Sequence, residues 1–441
     1  MTDARALALH VLARAAQGAI PAEPLLASLL GRSRLDARNR RFVTTLVQTT
    51  LRWRGRADHV LDQRLTRGLR SLDALTLDVL RLGYVQLFHL DAIPPHAAVH
   101  TSVDLAAQRC GAGKARLVNR ILRGLVSRPP TAAEWSAGGR WPALTGELSH
   151  PAWLLRRWIE RWGEATTRQV ATWNNAPPTF HLRVCGVDAD VAGARAALAE
   201  TGMAVSAGEL VPEALRCDGT FDAQRHPLVR AGRLVIQDES QMLVGHLWPD
   251  PGSGPILDLC AAPGTKTTHL AARAPQQRVV ALDVAWRRLR RVATAARQQR
   301  LEQVACVVAD GRRPPLRGTW RRVLVDAPCT SLGVLRRRPD ARWLRAPKDI
   351  RAAAGLQTEL LDAAAERVAP GGDLVYAVCS LEPEEGPEQV DAFLGRHPAF
   401  RPRALPELIP DALRTGLGRI AIVPGTLGME GLFAALVRRE E

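Results

Sequence analysis

Over residues 3 to 128 the apolar positions follow a helical rhythm. In LDALTLDVLRLGYVQLFHL, 72 to 90, leucines and aromatics recur at spacings of three and four and lay a wide stripe along one predicted helix. The IPPH that follows, 93 to 96, breaks that helix and lets another begin, because proline suits a first helical turn. Residues 129 to 148, PPTAAEWSAGGRWPALTGEL, are rich in Pro, Gly and Ala and are predicted to be a linker. From about 150 the pattern mixes: PAWLLRRWIERWG as an amphipathic helix, TFHLRV as a strand, DADVAGARAALAETG as a helix closed by glycine, GRLVIQD as a strand. That order predicts a small α+β module. From about 236 the apolar runs PILDLC, RVVALDV, QVACVVAD, RRVLVDAPC and DLVYAVCS alternate with helical stretches such as AWRRLRRVATAARQQR and DIRAAAGLQTELLDAAAERVA. Continuous apolar strands joined by helical crossovers predict an α/β domain whose parallel sheet is covered on both faces. Ligands then belong at the carboxyl ends of the strands. The predicted multidomain division is 1–130 all-α, 131–235 linker, helices and small α+β module, and 236–441 α/β.

At 441 residues and 46% hydrophobic the chain can bury two or three ordinary cores. No segment approaches the roughly 20 uninterrupted apolar residues of a membrane helix. The start, MTDARALALHVLARAAQGAI, lacks a basic head followed by an apolar core, so the expected compartment is the cytoplasm, with no membrane partner. Seven cysteines, 110, 185, 217, 260, 306, 329 and 379, are odd in number and scattered, which predicts reduced thiols. Cys185 and Cys306 are read as core filler. No CxxC or Cys/His cluster has zinc-ligand spacing, so no metal is expected. The net charge of +16 calls for a polyanionic partner, since neutralised phosphates release counterions. All but Lys114, Lys266 and Lys348 of the 60 basic residues are arginine; compositional bias accounts for that choice as well as phosphate binding does. The clusters RNRRF, 38 to 42, and RWRGR, 52 to 56, are predicted to be solvated helix faces.

The first strand end of the α/β domain reads LDLCAAPGTKTTHLA, Leu257 to Ala271. Ala261, Ala262 and Gly264 let backbone approach a ligand closely, and a helix starting near Thr265 points its amides there. GxxxxGK[ST] and GxGxxG are both absent. Asp283 closes the second strand 19 positions after Gly264, where a doubly wound fold places the acid that grips a ribose. Asp310 closes the third, within reach of an adenine edge. An adenosine cofactor without a pyrophosphate fits this set, and S-adenosylmethionine fits best. The candidate cofactor residues are Cys260, Ala261, Ala262, Pro263, Gly264, Thr265, Lys266, Asp283, Asp310 and Asp326.

Two further strand ends carry cysteines: Cys329 in DAPCTSLG and, fifty positions on, Cys379 in DLVYAVCS. DLCAAPGTKT, DAPCTSLGVLRRRPDARW and VCSLEPEEGPEQV resemble the motifs of bacterial RNA cytosine-5 methyltransferases, the NOL1/NOP2/Sun family. SHPAWLLRRW, NAPPTFHLRV and QDESQ resemble that family's preceding region, and residues 1 to 128 resemble a NusB-type RNA-binding domain. The pairing is similar to the Sun, or RsmB, branch and implies 16S ribosomal RNA as partner, with cytosine 967 the family's target. It also implies a Rossmann-like S-adenosylmethionine-dependent domain and covalent catalysis.

Chemistry alone does not choose between the thiols. The family pattern makes Cys379 the nucleophile on cytosine C6, Cys329 the residue that assists release, and Asp326 a partner of the ring as charge develops at N3. Arg336, Arg337, Arg338 and Trp343, in VLRRRPDARWLR, are expected to hold phosphates and stack near an extruded base. The chain departs from the family at Val378 for Thr, Ser331 for Gly and Cys185 for Asn, and near the C-terminus MEGLFAA stands where the family has DGFFAA. The rival readings are a non-catalytic RNA-binding or assembly factor and a cytosine-5 methyltransferase acting on transfer RNA. A monomer is assumed.

Overall fold

The computed structural model describes the chain except residues 1–2, 19, 132–133, 135–136, 187–188, 219–225 and 250–253. It forms two compact units, Met1–Ala176 with Leu335–Ala346, and Pro177–Val334 with Pro347–Glu441.

The first unit is helical: α1 Ala4–Gly18, α2 Ala22–Arg32, α3 Ala37–Arg64, α4 Ala74–Phe88, α5 Pro95–Cys110 and α6 Ala112–Ser127. Asp36 and Asp73 start α3 and α4 by accepting the backbone N–H of Asn39 (2.7 Å) and Thr76 (2.9 Å). Pro95 opens α5, as the IPPH signal predicts. The apolar stripe of α4 packs Val79, Leu80 and Leu82 into one core with Leu46, Val60, Leu61 and Leu122.

The expected linker is only partly unstructured. Residues 132–133 and 135–136 of it lie outside the described residues, but Arg140–Leu148 is a helix. Leu144 and Leu148 bury against Leu155 and Ala171, and a proline in the first turn does not oppose the helix. The next helix, Ala152–Asn175, kinks at Gly163, whose φ of 77° lies in the left-handed region.

The second unit holds two sheets. The small antiparallel sheet has strands β1 Phe180–Val184, β2 Ala204–Ala207, β3 Ala214–Asp218 and β4 Leu234–Ile236, in the order β2-β3-β1-β4. Asp188, in the expected start of its helix, lies outside the described residues; the helix runs Val191–Ala199 and places Ala194 and Leu198 in the core with Leu182, Leu215 and Leu234.

The large sheet has β5 Ile256–Asp258, β6 Val279–Asp283, β7 Val304–Val308, β8 Trp320–Asp326 and β9 Val368–Val378 in parallel, ordered β7-β6-β5-β8-β9. Beyond β9 lie antiparallel strands that the reading of apolar patterning left unmarked. They are β10 Phe400–Pro402, β11 Arg414–Gly416, β12 Arg419–Ile422 and β13 Leu432–Arg439.

Cys306 corrects an expectation. It is exposed rather than core filler, because β7 is the edge strand of the sheet. Cys185 is buried. No helix among the described residues is long and apolar enough to cross a membrane.

Candidate active site at the carboxyl edge of the parallel sheet

Strands β8 and β9 are adjacent and parallel, with Asp326 opposite Ala377. The two cysteine loops therefore leave the sheet side by side, and Cys329 Sγ lies 3.3 Å from Cys379 Sγ. Backbone bonds hold the loops together: Gly333 N–H donates to Cys379 O (3.0 Å), and Gly431 N–H to Gly333 O (2.8 Å). A Cβ at Gly333 would meet Cys379 O at 2.9 Å, so this approach requires glycine. Ser331 adopts a φ of 62°, the left-handed region where glycine is at ease, which explains the family's preference at that position. In exchange its hydroxyl stands 3.6 Å from Cys379 Sγ, whose thiol donates to it.

The Cys329 thiol differs electrostatically from an ordinary cysteine. The hydrogen bond to Cys379, then burial, pushes the Cys329 thiol well above the usual range, so it keeps its proton at neutral pH. Cys260 is also held well up, by burial and then by the charges of Asp258, Asp326 and Asp283. In Cys379→Ala the largest cause acting on Cys329 is gone, and its pKa is expected to fall. The pH profile of alkylation of the Cys329 peptide, followed by mass spectrometry, should then move to lower pH. An unmoved profile would assign the shift to burial instead.

Lys266 Nζ donates to Asp326 Oδ2 (2.8 Å) and to Gln241 Oε1 (2.7 Å). Asp258, at the end of β5, accepts the Thr267 hydroxyl at 2.7 Å; burial pushes its carboxyl up to about 7. Cys260 to Gly264 form the loop between β5 and the helix Thr265–Arg273. Asp283 holds this loop, accepting Ala262 N–H (3.1 Å) and Ala285 N–H (2.8 Å). Beside it, Val284 is 69% and Val308 48% exposed, an open apolar surface next to a buried carboxylate. These residues fit an adenosine cofactor: lone pairs of Asp283 for a ribose diol, and the valine faces for a purine. Asp310 is engaged differently. Its carboxylate takes a fork of bonds from Arg312 (2.7 to 3.1 Å), which also reaches Glu359 (2.9 Å).

The structure places Arg336, Arg337, Arg338 and Trp343 in the helical unit. Arg336 is buried with its guanidinium 3.9 Å from the Trp173 ring centre, and its carbonyl accepts from Arg52 Nη2 (2.9 Å). The Trp343 indole N–H donates to Leu51 O (2.7 Å). Both side chains are packing elements, and Arg338 is the exposed member of the four, 3.8 Å from Glu23. RWRGR likewise packs instead of facing solvent, with Arg52 buried and Arg54 set 5.3 Å from the Trp343 ring.

Three residues from separate segments also meet: Glu213 Oε1 accepts from His246 Nε2 (2.8 Å) and His269 Nε2. Among the described residues this is the one group with the spacing of metal ligands. Arg273 Nη1 stands 3.3 Å from His246 Nε2, and burial with Arg183 nearby pushes His269 down to about 3. The group is a hydrogen-bonded clasp of a carboxylate and two imidazoles beside buried cations. Three scattered residues leave no spacing signal.

Residues 246–438 match the family model described as 16S rRNA methyltransferase RsmB/F, residues 2–127 the NusB family, and residues 150–224 an RsmF/B-like ferredoxin-like domain. The chain is 31% identical to the probable ribosomal RNA small subunit methyltransferase B of Bacillus subtilis, covering 100% of this chain and 99% of that one. It is 36% identical to ribosomal RNA small subunit methyltransferase B of Vibrio cholerae, covering 81% and 80%. The crystal structure of PH0851 has the same fold across 100% of this chain and 99% of its own, with a TM-score of 0.84 at 24% identity. That of NSun6 from Pyrococcus horikoshii with SFG covers 65% of this chain and 98% of its own, with a TM-score of 0.58 at 20% identity.

Proposed function

From the premise that this chain belongs to the RsmB/F family of S-adenosylmethionine-dependent rRNA small subunit methyltransferases, we propose that it methylates C5 of a cytosine in 16S rRNA through a covalent cysteine adduct. The observation that carries this reading is the pair of thiols 3.3 Å apart at one strand edge. Cytosine C5 is a poor nucleophile until a thiolate adds to C6. The family pattern makes Cys379 the attacking sulfur and Cys329 the residue that assists release, and the two sulfurs lie close enough to serve one ring.

As the Cys379 sulfur bonds to C6, the C5–C6 π electrons move toward C5 and negative charge develops at N3. Asp326 Oδ2 is held by Lys266, leaving Oδ1 as the oxygen that shares a proton with the ring. Bound S-adenosylmethionine, the family's cofactor, supplies an electrophilic methyl group; Asp283 and the Cys260–Gly264 loop would hold it, with Lys266 at the loop's end and Asp310 on the neighbouring strand end. Once C5 carries the methyl, its proton passes to water, the electron pair of that C–H bond re-forms the C5–C6 double bond, and the S–C6 pair returns to sulfur to restore the Cys379 thiolate, with Cys329 adjacent to assist. The family's target, cytosine 967, is the site proposed here. The net charge of +16 and the NusB-type helical domain support capture of structured RNA.

Radiolabelled methyl transfer to naked 16S rRNA and to transfer RNA transcripts tests the reading. Label recovered as 5-methylcytosine from one 16S position is the expected result. Label confined to transfer RNA, or cofactor binding without transfer to any rRNA or particle, would overturn it.

A further inference from the structure

One buried carboxylate joins the two cysteine loops. Glu385 ends the short turn Pro383–Glu385 and is 0% exposed. Its Oε1 accepts Thr330 N–H at 2.8 Å and the Gln357 side-chain amide at 3.2 Å. Its Oε2 accepts both the Thr330 and the Ser380 hydroxyl. Thr330 directly follows Cys329, and Ser380 directly follows Cys379. Gln357 also donates to the carbonyl of Pro328, the residue before Cys329, at 3.0 Å. The Tyr376 hydroxyl, on β9, donates to the Glu385 carbonyl at 2.6 Å and anchors the turn to the sheet.

We propose that Glu385 is a positioning residue that sets the separation and aim of the two thiols by clamping the residue after each. The catalytic consequence rests on the covalent mechanism proposed above; the geometric one does not. Four donors converge on a single anion out of water, and charge-assisted bonds of this kind are short and strong. Without the anion, the Thr330 and Ser380 hydroxyls and the Thr330 N–H lose the acceptor that draws the two loops together, a cost that favours separation of the loops. Glutamine is a poor substitute, since whichever way its amide turns, the nitrogen faces two donors and cannot accept from them.

The test uses the full chain. Diamide removes two electrons and two protons from a close thiol pair, becoming a hydrazine as the S–S bond forms, so the rate at which it joins Cys329 to Cys379 reads their geometry with no RNA present. In Glu385→Gln that rate is expected to fall about tenfold, and kcat about 100-fold, the scale of a 1 Å misplacement, while KM for both substrates stays within about threefold. Thr330→Val should slow disulfide closure, and Thr330→Ser, which keeps the hydroxyl, should restore it. A folded Glu385→Gln with unchanged closure and kcat, or a Thr330→Ser as slow as Thr330→Val, overturns the proposal. If Glu385→Gln does not fold, the two Thr330 variants decide. Should the wild-type protein methylate no RNA, the proposed function fails, while disulfide closure still judges the clamp.

Discussion

Cys379→Ala should lower methyl transfer by about 10⁴-fold or more and form no covalent complex with RNA, because the nucleophile supplies a step that no neighbouring group replaces. That loss corresponds to about 5.5 kcal/mol of transition-state stabilisation. Cys329→Ala should behave in the opposite way toward RNA. Addition to C6 proceeds, elimination slows, and an enzyme–RNA adduct that survives denaturing electrophoresis accumulates. The two thiols are 3.3 Å apart and share one hydrogen bond, so the outcome separates roles that distance cannot. Adduct in Cys379→Ala and none in Cys329→Ala would exchange the assignments.

The second large effect is on stability. Arg342 is fully buried, and its guanidinium bonds Asn175 Oδ1 (2.7 Å), Ser149 O (2.9 Å), Asn174 O (3.2 Å) and Leu335 O (3.3 Å). Burial, then the nearby Arg52, pushes its pKa well down. Arg342→Ala leaves four buried acceptors unpaired, and about 4 kcal/mol of the helical unit's stability is expected to go with them. For a unit of this size that is a fall of roughly 10 °C in its unfolding transition. Arg342→Lys should recover little, since an ammonium cannot reproduce a planar fork of donors. Thermal and urea unfolding of the two variants decide it; an unchanged transition would mean that Leu335–Ala346 contributes no packing.

Arg342 also shows where one-dimensional reading ends. VLRRRPDARWLR has the look of a solvated, phosphate-binding loop, and charge alone supports that. In the structure Arg336, Arg342 and Trp343 meet carbonyls, an amide oxygen and a ring in distant helices, so these three are packing residues. Long amphipathic side chains bury their stems wherever acceptors await the head group, and no local pattern reveals whether such acceptors exist. Cys306 fails for the converse reason. An apolar run signals a strand, but not whether that strand lies at the edge of the sheet.

Local periodicity was enough to read α4, the proline-started α5, the five parallel strands and the loop from Cys260 to Gly264, because each depends on neighbours a few residues apart. The strand ends were equally legible, and with them Asp283, Asp326, Cys329 and Cys379 as candidates. Their convergence was not. Cys329 and Cys379 face each other because β8 and β9 are neighbours in the sheet; Glu385 joins their loops, and Glu213 gathers His246 and His269, only once the chain has packed. Strand order and burial are properties of the whole fold, set by which apolar faces cover one another, and they alone bring distant side chains within hydrogen-bonding reach.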